Sequence, residues 1–389
     1  MFKISILACS VVVCAAFGLT ANAQLPLNDR DAKAIAAVFD APPDKSLRCM
    51  MDEWRPSLDF ALRFQTGYIV RCPLDQFGGK KSTVITYLRV MPRGKEPRLF
   101  GAFHRVPEMT PQMLAEINPR NLKQQIGMSG VVGVGEGDYS ADLLVTDDRH
   151  RSCRKHWKMH VSPNRSQRDV HLDIQPLTVE SLDRQAWKIS PVSDPRGLRL
   201  TIFLDAAPMN PFQSRLRAWD RAFLLECIYS LLRQTPYQSV RVIAFNLEQQ
   251  LEIFRRDQFD DEGFPALSRA LQQIETASIS VQALQKRKSP EFLLALANQE
   301  LAADHSSDAV IFLGPNGHTD IKPRDELLAA RKPSSPPFFY FEYFPSLGSE
   351  FPDGIQRLTK ALEGRTFQIH SPAELDQAIQ KMLAQLKQE

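Results

Sequence analysis

The spacing of apolar residues changes part-way along the chain, and this change limits the folds that the chain can adopt. Before residue 162, apolar and polar residues alternate with a period of two, which is typical of half-buried strands. After residue 197, segments with helical spacing separate short, continuously apolar stretches. A polar segment with four prolines, residues 162–197, lies between the two parts. The sequence therefore predicts a β-rich domain, a connector and a domain of alternating strands and helices.

The first part contains short candidate strands with well-marked turns. Leu58, Phe60, Leu62 and Phe64 alternate with polar or small residues and predict a half-buried strand. The other predicted strands are Tyr68–Cys72, Thr83–Met91, Leu99–Val106, Asp138–Thr146 and Ser152–Val161, with a helix over Pro111–Gln125. The last two strands and the glycine-rich stretch before them resemble the closing hairpin of bacterial immunoglobulin-like domains. This resemblance implies an all-β, immunoglobulin-like sandwich over residues 49–161.

The second part, residues 198–389, alternates strands with helices. The predicted strands are Leu198–Asp205, Ser239–Asn246, Gln250–Arg256, Asp308–Leu313, Phe338–Phe344 and Thr366–His370. The predicted helices are Arg215–Arg233, Phe264–Glu275, Glu291–Ala303, Gly354–Leu362 and Pro372–Leu386. Ser371 and Glu374 form a capping box for the last helix. This order predicts an α/β fold, with a mostly parallel sheet covered by helices on both faces.

The end of the chain resembles a von Willebrand factor A-type domain. Residues 358–367 and 371–375 are similar to that family's closing helix, small turn, strand and capped last helix. The opening strand, which ends at Asp205, also fits the family's order. The resemblance implies a Rossmann-like α/β domain over residues 198–389.

Domains of this family commonly hold Mg²⁺ through an Asp-x-Ser-x-Ser loop and further oxygen ligands, which a hard cation requires. Asp205 matches the first position, but Ala207 and Met209 stand where the two serines belong. Ser278 is the candidate for the threonine ligand. Gly314 and the proline after it stand where the last aspartate belongs. The ligand set therefore predicts a metal-free domain without a cofactor.

The first 23 residues have the features of a cleavable secretory signal. Lys3 precedes the apolar run Ile4–Phe17, and an Ala-x-Ala site ends at Ala23. The run is too short to span a bilayer, which needs about 20 residues. We expect an exported protein, periplasmic or extracellular, with residues 24–48 as an N-terminal segment. The net charge of +3 is too balanced for a chain whose main task is to bind nucleic acid.

Four cysteines remain after that cleavage, and an exported protein can keep disulfides. They are Cys49, Cys72, Cys153 and Cys227. Four cysteines allow three pairings. Cys72 and Cys153 lie in strand-like segments and are the candidate disulfide. Cys227 lies on a predicted buried helix, where we expect a free thiol.

Other groups of reactive residues favour structural interpretations. His156 and His160 share one strand face but stand about 13 Å apart, and Cys153 points the other way, which argues against zinc. The acidic run Asp257–Glu262 lacks the ligand offsets of a calcium loop and indicates a solvated loop. Glu342, within an apolar strand, is expected to be partly exposed or paired with an arginine. The sequence contains no Gly-x-Ser-x-Gly elbow and no P-loop, so it does not indicate an enzyme.

These observations predict an exported, non-enzymatic binding or scaffold protein with a protein partner in the envelope or outside the cell. The predicted face is the carboxyl end of the parallel sheet, where open α/β sheets build their sites. It comprises Asp205, Asn210, Asn246, Asn316 and His318. Binding there should survive EDTA and weaken when Asp205 or Asn316 is replaced. The alternatives are an envelope-associated hydrolase with a dispersed site, favoured by a deep pocket with facing carboxylates or a His–Asp pair, and a packing subunit of an assembly.

Overall fold

The computed structural model describes most of the chain in ten segments. They are residues 22–40, 46–112, 125–182, 193–210, 216–247, 249–274, 289–302, 307–316, 335–343 and 354–387. The predicted helix over Pro111–Gln125 lies largely outside these residues, as does His318.

The described residues form sixteen strands and six α-helices. The strands are β1 (Asn22–Ala23), β2 (Leu25–Pro26), β3 (Met50–Leu58), β4 (Phe64–Pro73), β5 (Ser82–Pro92), β6 (Arg98–Val106), β7 (Gln125–Val134), β8 (Gly137–Asp147), β9 (Ser152–Val161), β10 (Val179–Ser181), β11 (Ser193–Asp205), β12 (Tyr237–Asn246), β13 (Leu251–Arg256), β14 (Ala309–Pro315), β15 (Phe338–Tyr343) and β16 (Arg365–Ile369). The helices are α1 (Asp29–Asp40), α2 (Ala218–Gln234), α3 (Gly263–Gln272), α4 (Ser289–Ala302), α5 (Gly354–Ala361) and α6 (Pro372–Leu386).

Two five-stranded sheets pack face to face and form a sandwich. The first sheet has the order β1-β7-β4-β3, with β10 paired to β7, and the second has the order β2-β6-β5-β8-β9. Every second residue of β5 is buried, because alternate side chains of a strand point into the core. Tyr68 of β4 reaches across this core, and its hydroxyl donates to Thr86 Oγ1 of β5 at 2.6 Å.

Segments on both sides of the predicted sandwich region also pair with it. β1 pairs with β7, β2 pairs with β6, and β10, which lies within residues 162–197, pairs with β7. α1 covers part of the outer face of the second sheet, where Phe39 packs with Leu99 and Leu144. The sandwich is therefore completed by strands that are distant from it in sequence.

The six-stranded sheet has the order β13-β12-β11-β14-β15-β16. Neighbouring strands pair parallel, except that the edge strand β13 is antiparallel to β12. α2, α3 and α6 pack on one face with residues such as Leu204 and Phe341. α4 and α5 pack on the other face with residues such as Phe203 and Phe312. Strands covered on both faces are apolar on both faces, which explains the run of aromatic residues in β15.

The fold class predicted from the sequence is wrong for this chain. The described strands form three sheets, and most strand pairings are antiparallel rather than parallel. Of the described residues, 43% are in strands and 29% in helices, and the sheets are mostly antiparallel, unlike the parallel sheet of a Rossmann-like von Willebrand factor A-type α/β fold. The prediction underestimated the share of antiparallel strands, because it missed the strands β1, β2, β3, β7 and β10.

The predicted strand over residues 58–64 is also wrong, because this segment is a turn between β3 and β4. Leu62 has a φ of 58°, in the left-handed region that a strand residue does not adopt. The Asp59 N–H donates to the Arg63 carbonyl at 2.9 Å. The Phe60 side chain packs against the core of the six-stranded sheet instead of the sandwich core. Its ring centroid lies 4.5 Å from that of Phe223 on α2. Tertiary packing thus overrides the local alternation of apolar residues.

A buried cluster of charged residues lies where this turn meets α2. Arg63 Nη2 donates to Asp59 Oδ2 at 3.1 Å, and both side chains are less than 10% exposed. Glu226 of α2 is also buried and interacts electrostatically with both residues. Asp173 accepts from Tyr229 at 3.1 Å and pairs with Arg233 of α2. Three carboxyl groups thus face two guanidinium groups at the junction between the sandwich and the six-stranded sheet.

Candidate functional site

The face predicted at the carboxyl end of the six-stranded sheet is mostly buried. Asp205 is 1% exposed, Asn246 0% and Asn316 6%, whereas Asn210 is exposed. His318 lies outside the described residues. Three of the four described residues are therefore inaccessible to the surface of a large partner.

The two buried asparagines hold strand ends and loops together. Asn246 Nδ2 donates to the Ala206 carbonyl at 2.8 Å, and its Oδ1 accepts from the Gln249 N–H at 2.9 Å. Asn316 Nδ2 donates to Glu342 Oε1 at 2.7 Å. Buried amides must satisfy their hydrogen bonds within the protein, so these side chains have a structural role.

Glu342 is buried, so the partly exposed position, one of the two alternatives expected from the sequence, is wrong. It lies beside Gly314 in the parallel register between β15 and β14. On the other side of Gly314, a Cβ atom added to this glycine would lie 2.7 Å from the Cβ of Asp205. Gly314 stands where the metal-binding family has an aspartate. Its backbone lies so close to Asp205 that a side chain at this position would collide with Asp205.

Metal-binding geometry is absent from the part of the chain that the structure describes, where no three His, Cys, Asp or Glu side chains are placed to share an ion. Ser278, the candidate threonine equivalent, lies outside that part. In the acidic run, Asp257 pairs with Arg241 at 2.9 Å and Asp260 pairs with Arg256 at 2.6 Å. These aspartates form ion pairs with arginines.

The outward face of the β8–β9 hairpin and the adjoining strand β5 carries an ordered set of charged residues, here called the hairpin face. Its members are Arg89, Arg93, Asp138, Asp142, Arg154, His156, Lys158 and His160. The even-numbered residues from 154 to 160 of β9 point to solvent, while Cys153, Trp157 and Met159 pack against the core of the sandwich. The expected orientation of this strand is therefore confirmed.

Two Arg–Asp–His rows cross the hairpin face. In the first row, Asp142 Oδ2 accepts from Arg89 Nε at 2.9 Å and Asp142 Oδ1 lies 2.6 Å from His156 Nδ1. In the second row, Arg93 Nη1 lies 3.5 Å from Asp138 Oδ2, and His160 Nδ1 lies 2.7 Å from Asp138 Oδ1. The hydrogen bond with His160, reinforced by Arg93, lowers the pKa of Asp138.

The rows follow from strand register. Arg89 pairs with Asp142, and Asp142 with His156, in adjacent antiparallel strands. Four residues from this row, the same three residue types recur in Asp138 of β8, His160 of β9 and Arg93, which directly follows β5. The repeat of four in three separate strands was the sequence signal that could have revealed the rows, but it becomes visible only when the register is known.

Shallow clefts flank the rows. One cleft of about 400 Å³ is lined by Arg93, Glu136, Asp138, His160 and Ser162, among others. A serine, a histidine and an aspartate thus line the same cleft, but His160 and Asp138 are 67% and 52% exposed. Among the described contacts, Ser162 and His160 form no hydrogen bond with each other. Arg93 is the one arginine or lysine among the described residues that line this cleft, and the carboxylates of Glu136 and Asp138 line it as well.

The disulfide joins Cys153 to Cys49, so the predicted pairing of Cys72 with Cys153 is wrong. Cys72 is a free, buried thiol whose Sγ lies 3.4 Å from Cys49 Sγ. Cys49 precedes β3, at the edge of the first sheet that lies near β9. Cys227 is free and buried, which confirms the expectation for that residue.

Comparisons with known proteins give only weak similarities. No protein-family model matches the chain, and no curated protein is significantly similar to it in sequence. A putative ApaA protein from Bordetella pertussis has a TM-score of 0.18 and 9% identity, over 31% of this chain and 100% of that protein. A calcium-binding mutant of Bacteroides uniformis beta-glucuronidase 2 has a TM-score of 0.20 and 9% identity, over 87% of this chain. This chain covers only 31% of that enzyme.

A glycosyl hydrolase family 2 member from Bacteroides cellulosilyticus has a TM-score of 0.19 and 10% identity, over 83% of this chain and 43% of that protein. The resemblance to the von Willebrand factor A-type family stays a sequence-based prediction. Within the described residues, no helix has both the length and the apolar character needed to cross a membrane.

Proposed function

We propose that the chain is an exported, non-enzymatic binding or scaffold protein that contacts an acidic surface of a protein partner through the hairpin face. The pair of Arg–Asp–His rows is the observation that carries this proposal. In each row a carboxylate contacts an exposed imidazole, and in the second row it also contacts the exposed Arg93, so that N–H donors of these side chains are oriented before a partner arrives. Such preorganisation lowers the entropic cost of binding.

The charge of the hairpin face suits an acidic partner. Four permanently cationic side chains share the face with two carboxylates. The ion pairs of the second row are exposed, and such pairs contribute only about 0–1 kcal/mol to folding, so this row adds little to stability. Complementary charges across an interface instead favour association and fix its register.

Export is supported by two independent features. The first 23 residues have a basic start, an apolar run and an Ala-x-Ala site. The Cys49–Cys153 disulfide suits an oxidising compartment, because disulfides persist mainly outside the cytosol. The partner would therefore lie in the envelope or outside the cell.

Charge-reversal variants test this proposal with poly-L-glutamate as a defined acidic polypeptide. We expect Arg93→Glu and Lys158→Glu each to weaken binding at least tenfold at low salt and to reduce its salt dependence, because fewer cationic contacts remain. Lys360→Glu is the matched control, since Lys360 is exposed on α5 and far in sequence from the hairpin face. It should change binding by less than about twofold. Equal losses in all three variants would mean that only net charge matters and would refute a specific face.

The same variants extend the test to the natural partner. Proteins cross-linked to the exported chain in intact cells should be lost with Arg93→Glu and Lys158→Glu but retained with Lys360→Glu. Binding should also survive EDTA, since no metal takes part. Abolition of binding by chelation would contradict the proposal.

A hydrolase is the second candidate, because Asp138, His160 and Ser162 line one cleft. Asp138 could orient His160 as a general base toward Ser162. The high exposure of the pair argues against it, since water screens the charges that such a site must stabilise. Turnover of simple esters or glycosides that disappears in both His160→Gln and Ser162→Ala would establish the hydrolase and refute the non-enzymatic function.

A further inference from the structure

Three sulfur atoms from three strand segments meet at one edge of the sandwich. Cys49 and Cys153 form the disulfide, and Cys72 Sγ lies 3.4 Å from Cys49 Sγ. In the register of β3 and β4, Met50 pairs with Arg71, so Cys49 lies opposite Cys72 across the same antiparallel ladder. Directly opposite positions in such a ladder have Cβ atoms about 4.5–5.5 Å apart. A disulfide needs about 3.5–4.5 Å between Cβ atoms, so a small local shift is enough to form the bond.

Cys49 is therefore placed to bond with either of two partners. The bond to Cys153 links the two sheets of the sandwich, since Cys153 lies on β9 of the second sheet. A bond to Cys72 would link two neighbouring strands of the first sheet. Cys227, the other free thiol of the described residues, lies in the core between α2 and the six-stranded sheet, away from this group.

We propose that Cys49, Cys72 and Cys153 form a thiol–disulfide exchange site in which Cys49 is the shared sulfur. The Cys72 thiolate attacks Cys49 Sγ, the Cys49–Cys72 bond forms and the Cys49–Cys153 bond breaks. Cys153 Sγ leaves as a thiolate and takes up a proton, while the proton of Cys72 goes to solvent. The exchange is redox-neutral, because one disulfide and one thiol are present before and after it. It does not depend on the proposed binding function.

The surroundings of Cys72 make the exchange slow near neutral pH. Burial raises the pKa of the Cys72 thiol to about 12, with a smaller opposing effect of Arg151 and a small raising effect of Asp147. Arg151 and Asp147 pair with each other through a 2.8 Å hydrogen bond, so their charges largely offset one another. Only the thiolate attacks, and its fraction rises about tenfold for each pH unit below the pKa.

The exchange would move the covalent link from between the sheets to within one sheet. The sequence separation of the bonded cysteines would fall from 104 to 23 residues. β9 would then be held at this edge by noncovalent contacts, such as the hydrogen bond of 2.9 Å from Lys155 Nζ to the Met51 carbonyl.

Alkylation of the folded chain with iodoacetamide, without oxidant or reductant, tests the proposal. Cys153 is released only by exchange, and its alkylation traps the product whatever the equilibrium constant. We expect a peptide pair linked through Cys49 and Cys72, together with alkylated Cys153, to accumulate about a hundredfold faster at pH 9 than at pH 7. Mass spectrometry of a proteolytic digest measures both products. It also distinguishes their peptides from those that contain Cys9 and Cys14.

Two matched variants and one internal reference make the outcome decisive. Cys72→Ser and Cys72→Val should both keep the Cys49–Cys153 link and leave Cys153 unalkylated, and the second retains an apolar side chain if the first folds poorly. Cys227 should stay unalkylated, because it is buried in another core and reports unfolding. Absence of the Cys49–Cys72 link at pH 9, or alkylation of Cys227 at the same rate as Cys153, would overturn the proposal.

Discussion

The sandwich and the six-stranded sheet place their carboxylates in opposite environments. Asp138 and Asp142 lie on an outer sheet face, where each contacts an arginine and a histidine within reach of solvent. Asp205 and Glu342 lie at the carboxyl end of the six-stranded sheet and are at most 1% exposed. The residues that were expected to form a binding surface are buried, and residues that were expected only to be solvated form ordered rows.

The difference follows from what covers each sheet. An antiparallel sheet in a sandwich has one face toward the core and one toward water, so every second side chain can be charged without cost. A sheet with helices on both faces has no solvated face, and a polar side chain within it must find hydrogen-bond partners inside the protein. Asn316 and Glu342 illustrate this requirement, since the buried Asn316 amide donates to Glu342 Oε1 at 2.7 Å.

The largest expected effect concerns the junction between these two regions. Arg63→Met removes the guanidinium that faces Asp59 and Glu226, and leaves buried carboxylates without compensation. We expect the free energy of unfolding to fall by about 3–5 kcal/mol. Urea denaturation at pH 8 measures it. Arg71→Met is the matched control, since Arg71 pairs with Asp52 at an exposed site and its loss should cost less than about 1 kcal/mol. Equal losses in the free energy of unfolding for the two variants would show that burial does not make the Arg63 ion pair more important for stability than an exposed pair.

A second pair of variants compares a buried with an exposed partner of a carboxylate. Asn316→Ala removes the amide that donates to buried Glu342 and should cost about 1–3 kcal/mol. His156→Gln changes the exposed partner of Asp142 and should alter stability by less than about 0.5 kcal/mol. Thermal and urea unfolding of both variants measure the difference. A cost for His156→Gln as large as that for Asn316→Ala would contradict the distinction between the two regions.

A further expected effect is a change in the pH dependence of stability. Burial raises the pKa of Asp59 from 3.8 to about 7, and neighbouring Glu226 acts in the same direction against the attraction of Arg63. The folded chain therefore holds a proton that the unfolded chain releases near pH 4. The stability due to this proton is fully present below about pH 4 and is lost as the pH rises to about 7, by at most about 1.4 kcal/mol per unit.

Asp59→Asn should remove this dependence, since the amide does not titrate but can still accept from the Arg63 backbone. Free energies of unfolding measured from pH 4 to pH 8 should then show wild type losing stability relative to Asp59→Asn as the pH increases. Parallel curves for the two proteins would mean that Asp59 is ionised throughout this range.

Much of the secondary structure was accessible from the sequence. The strands of the β8–β9 hairpin, the strand ending at Asp205 and the final helix lie where the spacing of apolar and turn residues predicts them. Ser371 Oγ accepts from the Glu374 N–H at 3.4 Å, as the capping motif predicts, although Glu374 itself accepts from the His370 N–H. β7 was missed because its glycines hide the strand pattern.

The candidate site was much less accessible. The rows depend on the register that brings β5, β8 and β9 together, and the cysteine pairing depends on which strand edges lie side by side. Neither the strand register nor the cysteine pairing can be predicted from the spacing of residue types within one segment.

Local spacing is sufficient to place a strand or a helix, because the period of side-chain direction is a property of neighbouring residues. It identified the outward histidines of β9 and the buried thiol of Cys227. Three results were decided only by the tertiary structure. Phe60 lies in a turn and packs on α2, Cys49 bonds with Cys153, and Asp205 is buried. Each of these results arises from contacts between segments far apart in sequence, whose packing energy exceeds the preferences of either segment alone.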